Sequence, residues 1–68
     1  MVFVHVLNIK DVPKTDLNIF IDSCQKENCK YLLHENALVI TSTDDIEKTV
    51  NTCFNNTVPV HVYKIEVL

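Results

Sequence analysis

Sixty-eight residues carrying a net charge of −3, with neither glycine nor arginine among them, set the first limits. Ordinary usage would supply roughly five glycines; without them a glycine-rich phosphate loop is excluded, and without arginine there is no guanidinium fork to grip a phosphate or carboxylate in two places. The lysines are scattered, which leaves no basic stripe for a nucleic-acid backbone, and so short a chain is expected to fold as one domain, residues 1–68, burying only about 60% of its unfolded surface.

Residues 2–9 are rich in β-branched and aliphatic side chains and predict a strand. Its alternation places Phe3, His5, Leu7 and Ile9 on one face and Val2, Val4 and Val6 on the other. Residues 11–14 form a turn, with Pro13 pushing Val12 away from helical dihedrals. Thr15 is the expected N-cap of a helix in which Leu17, Phe20, Ile21 and Cys24 follow the i, i+3, i+4, i+7 spacing of one buried stripe. That helix should end near Asn28, because asparagine is the best substitute for glycine in the left-handed region.

Residues 30–34 and 37–41 read as a hairpin around Glu35-Asn36, with asparagine again standing in for glycine. Ser42, Thr43, Asp44 and Asp45 supply capping oxygens for a second helix, whose inner face takes Ile46, Val50, Cys53 and Phe54. Asn55 and Asn56 end it. Residues 58–68 predict the last strand, with Pro59 near its start, where a missing donor is tolerated. Polar Lys64 and Glu66 leave His61, Tyr63, Ile65 and Val67 sharing one face and Val60 and Val62 sharing the other.

The order βαββαβ resembles the split-βαβ, ferredoxin-like pattern. It implies an α+β fold with a four-stranded antiparallel sheet, both helices on one face, and the first and last strands side by side. If the odd-numbered faces of those two strands pack on the helices, Val2, Val4, Val6, Val60 and Val62 gather on the uncovered face as an apolar interaction surface. The competing arrangement turns the valines inward and His5 and His61 outward. Asp44 and Asp45 offer an acidic surface to a basic partner, against the plainer reading of an ordinary solvated helix face.

His5 and His61, on adjacent strands, invite a metal site. Two ligands do not make one, and the Cys24–Cys29 spacing matches no zinc knuckle. No cofactor is expected. Cys24 and Cys53 fall on helix faces expected to be buried and inert, so no catalytic nucleophile is expected either. Three cysteines without a secretory leader point to reduced thiols and a cytoplasmic setting, and no segment predicts a membrane span. Heavy-metal-associated domains share the topology but carry Cys-x-x-Cys where this chain has residues 11–14, and an acylphosphatase needs an arginine.

The expectation is a small non-enzymatic module that binds another protein, and that forms a homodimer through the open sheet face or an edge strand, with no nucleic acid and no membrane as partner. Missing glycine and arginine beside abundant lysine, asparagine and isoleucine looks like AT-rich codon bias. A viral or phage inhibitor that occludes a host protein sterically is therefore the concrete form expected. The alternatives are a metal- or redox-binding module and a regulatory subunit domain of a larger enzyme.

Overall fold

Six elements follow one another in the expected order: β1 (Val2–Asn8), α1 (Lys14–Lys26), β2 (Lys30–His34), β3 (Ala37–Ser42), α2 (Glu47–Cys53) and β4 (Val60–Ile65). The structure is a computed structural model that describes residues 1–66; Val67, expected on the last strand, lies outside the described residues. The strands form one antiparallel sheet in the order β2-β3-β1-β4. This is the ferredoxin-like α+β fold. β1 sits between β3 and β4, so the two strands that share the tripeptide Val-His-Val are neighbours.

Without glycine, the chain needs other residues at its left-handed positions, and asparagine fills most of them. Asn28 has φ 61°, Asn55 φ 52° and Asn56 φ 59°. Beyond α1, the Cys29 N–H bonds to the Cys24 carbonyl and the Asn28 N–H to the Gln25 carbonyl, the paired bonds of a Schellman ending. After α2, the Asn56 N–H reaches back to the Asn51 carbonyl in the same way. The hairpin departs from expectation. There Glu35, not Asn36, has the positive φ, at 53°, because a two-residue connection can put its single left-handed residue first. The start of α1 differs too. Pro13, and not Thr15, holds the N-cap position, with φ −59° and ψ 141°, and because proline has no side-chain oxygen no side chain caps the helix.

The core lies between the helices and one face of the sheet. β1 contributes Leu7 and β3 contributes Leu38 and Ile40, all three fully buried. α1 lays Leu17, Phe20 and Cys24 over them, and α2 adds Val50, flanked by Ile46 and Phe54. Phe20 and Phe54 join the helices, with ring centroids 5.0 Å apart and planes tilted by 57°, a favourable aromatic geometry. Cys53, expected on the inner face of α2, is exposed; the seven-residue helix buries only Val50 within its bounds, and Phe54 beyond its end takes the inner position.

Candidate protein-interaction face

Cross-strand partners share a face of a sheet, so the registers fix what each face carries. In β1 and β3, His5 pairs with Ile40 and Leu7 with Leu38, on the side beneath the helices. Val4 pairs with Thr41 and Val6 with Val39, on the side away from them. The register with β4 pairs His5 with Val62 and Leu7 with Val60, but Val4 with Tyr63, Val6 with His61 and Val2 with Ile65. Val60 and Val62 therefore lie on the helix side, where Val60 packs against the core. The expected set of five valines on one face does not form. The expectation assumed that odd positions of both strands face inward, whereas partner numbers in this pair sum to an odd value, which opposes odd to even.

Of the expected interaction residues, Val2, Val4 and Val6 are on the open face and Val60 and Val62 are beneath the helices. What the sequence reading missed is the set that replaces them. Tyr63 and Ile65 stand on the open face at 56% and 49% exposure, beside Val4 and Val2. Leu32 of β2, paired with Val39, adds a third large apolar side chain at 64% exposure. Leu32, Val39, Val6 and His61 thus form one row across all four strands, and Lys30, Thr41, Val4 and Tyr63 the next. At one end a depression of about 450 Å³ is bordered by Asn8, His34, Ala37, Pro59 and His61. The result is an apolar band with lysine and histidine at its margins and no helix over it.

Asp44 and Asp45 lie elsewhere. They follow β3 and lead into α2, on the helix side, where Asp45 Oδ1 accepts the Glu47 N–H at 2.9 Å and the Asp44 carbonyl accepts the Ser42 hydroxyl. Asp45 also stands 3.4 Å from His5 Nε2. The structure therefore does not bring these acids together with the valine surface. Asp45 tethers the start of α2.

His5 is the one fully buried polar side chain among the described residues. Its Nε2 accepts the Ile46 N–H at 3.0 Å. That bond requires Nε2 to be unprotonated, so the proton is on Nδ1, which donates to the Ile40 carbonyl at 3.3 Å. An unprotonated Nε2 makes no ion pair with Asp45. The imidazole instead joins β1, β3 and the entry to α2, with both of its nitrogens satisfied. His61 is exposed on the opposite face beside Val6, so the sheet separates the two histidines that adjacency suggested as shared ligands. No group of three potential metal-binding side chains occurs among the described residues.

Burial pushes the Cys24 thiol up to about 11, with Cys29, Glu27 and Cys53 adding to the effect. Burial also raises Cys29, helped by Glu27 and Asp44. Both groups are thereby kept as thiols at neutral pH, the less nucleophilic form. Among the described residues, no helix is long and apolar enough to cross a membrane. No protein-family model matches the chain, and no curated protein matches it in sequence.

Proposed function

We propose that this chain is a small non-enzymatic protein-interaction module that binds its partner through the open face of the sheet. The observation that carries this reading is the unequal treatment of the two faces. One carries both helices and buries Leu7, Leu38 and Ile40 beneath them, leaving Tyr31 and Leu33 exposed at its β2 edge, while the other has no helix and leaves Leu32, Tyr63 and Ile65 about half or more exposed around a floor of Val4, Val6 and Val39. A contiguous apolar patch rimmed by polar side chains is what a protein interface looks like before its partner arrives. Its aromatic residue, Tyr63, combines a large apolar ring with a polar tip, as interface anchors do.

The finer form of the reading is an inhibitor of viral or phage origin that works by covering a host protein's surface. Its support is the chain's small size, its net charge of −3 and a composition skewed to lysine, asparagine and isoleucine. The steric mechanism asks nothing of the chain beyond a rigid face, which a four-stranded sheet supplies.

The test is affinity capture from the native cellular background with the wild-type chain, Val6→Lys and Ile19→Lys, followed by mass spectrometry. Val6 is central to the open face, and Ile19 is an exposed apolar residue on α1. The reading predicts a protein recovered by wild type and Ile19→Lys and lost by Val6→Lys, with circular dichroism unchanged in all three. Recovery of the same protein by folded Val6→Lys would overturn it.

A further inference from the structure

The two edges of the sheet are not equivalent. At β4, Val60 and Val62 are half-buried, Pro59 stands just before the strand and Lys64 within it. At β2, by contrast, every residue is exposed. Tyr31, Leu32 and Leu33 are consecutive, at 42%, 64% and 48% exposure, and neither proline nor an inward charge interrupts them. Exposed apolar edges of this kind are ready templates for another strand.

The backbone bonds show which groups of β2 are unused. The Ile9 N–H bonds to the Asn36 carbonyl, a directly opposed pair in the β1–β3 register. Bonding alternates along an antiparallel ladder, so Leu38 and Ile40 turn their amides to β1, and Ala37, Val39 and Thr41 turn theirs to β2. The partners of these last three are His34, Leu32 and Lys30. The N–H and C=O groups of Tyr31 and Leu33 consequently point away from the sheet, and among the described residues no strand meets them.

We infer that β2 pairs antiparallel with β2 of a second copy of this chain, on a two-fold axis through Leu32, joining two sheets into one of eight strands. A symmetric antiparallel pair needs its axis perpendicular to the sheet, which keeps each face continuous and requires residues of like parity to oppose one another. Of the registers that meet this condition, the one centred on Leu32 aligns all five residues of the strand. Tyr31 then exchanges both backbone bonds with the partner's Leu33, and Leu33 with the partner's Tyr31. Leu32 meets the partner's Leu32 on the open face, in the close, non-hydrogen-bonded position. Lys30 faces the partner's His34 at each end, so no two lysines oppose one another. This self-complementarity singles out a second copy over an unrelated strand. It does not depend on the open-face reading, although it would set two open faces side by side.

The experiment measures mass in solution at about 100 μM chain, since an interface this small calls for high concentration, and adds a cross-link that reads the register. Wild type is expected at twice the 7.8 kDa chain mass. Leu33→Pro removes an outward donor and no bond to β3, and is expected at the monomer mass with its circular dichroism retained. Leu32→Cys, in a Cys29→Ser, Cys53→Ser background, should form a covalent dimer on mild oxidation, because residues opposed without mutual bonds approach to about 4.5 Å between Cα atoms; Lys30→Cys in the same background should not. A monomeric wild type at this concentration overturns the inference. So does a dimer that survives Leu33→Pro, or one that cross-links through Lys30→Cys and not through Leu32→Cys. Loss of partner capture by Val6→Lys, with mass unchanged, would affect neither result.

Discussion

Val4-His5-Val6 and Val60-His61-Val62 are the same tripeptide on neighbouring strands, yet they are turned opposite ways. In β1 the histidine is fully buried and the valines lie on the open face; in β4 the histidine is exposed and the valines face the helices. Local sequence cannot account for the difference, because it is identical. Pairing accounts for it. The Asn8 N–H bonds to the Pro59 carbonyl at 3.0 Å, which fixes a register whose partners differ in parity, and a one-residue shift would exchange the faces of the whole strand. Val58, buried at 6% exposure, extends the inward row of β4 to Val58, Val60 and Val62. The histidine of β1 can be buried because the entry to α2 supplies the Ile46 N–H to it.

The sharpest way to break this comparison is to remove the same side chain from both strands. His5→Leu keeps most of the volume but leaves the Ile46 N–H buried without a partner, and should cost about 2–3 kcal/mol in chemical denaturation. His61→Leu should change stability by less than about 0.5 kcal/mol, as surface substitutions usually do. Asp45→Ala removes the acceptor for the Glu47 N–H and the carboxylate beside His5, and should cost about 1 kcal/mol, the worth of one hydrogen bond.

Alkaline titration tests the buried face by another route. The Cys24 thiol is raised in the folded state from 9.0 to about 11. The unfolded chain therefore loses this proton first, and the stabilisation, full below pH 9, is lost as pH rises toward about 11. Cys24→Ala should flatten that part of the stability profile, whereas Cys53→Ala, on an exposed residue, should leave it in place. The smallest effect belongs to the hairpin. Glu35→Gly relieves the positive φ at the turn and should stabilise the chain by about 0.5 kcal/mol, the steric relief exceeding glycine's greater entropy loss; a thermal melt checks it.

The order of elements, the adjacency of β1 and β4 and the asparagine helix endings were all legible in the sequence. The elements and the helix endings follow from short-range chemistry, namely apolar spacing, proline's fixed φ and asparagine's tolerance of the left-handed region, whereas the adjacency of β1 and β4 came from the resemblance of the element order to the ferredoxin-like pattern. The faces of β1 were legible as well. Those of β4 were not, because its alternation is apolar on both sides, and Val60 and Val62 make as good an outer row as an inner one until the register decides. The open face was therefore expected with the right valines from β1 and the wrong ones from β4. Leu32 was missed for a related reason: an edge strand with Tyr31, Leu32 and Leu33 in succession has no alternation from which to read a face. Asp44 and Asp45 were expected among the capping oxygens, but Ile46 holds the N-cap position of α2 without a side-chain cap, and Asp45, one residue earlier, accepts the Glu47 N–H.

Tyr63 and Lys64 offer the most direct test, since they are consecutive residues that point to opposite faces of β4. Quantitative capture of the partner by Tyr63→Ser and Lys64→Ser, each compared with wild type at equal folded concentration, separates the faces without disturbing the core. The account predicts that Tyr63→Ser loses most of the partner and Lys64→Ser retains it. Retention by Tyr63→Ser together with loss by Lys64→Ser would place recognition on the helix side and contradict it.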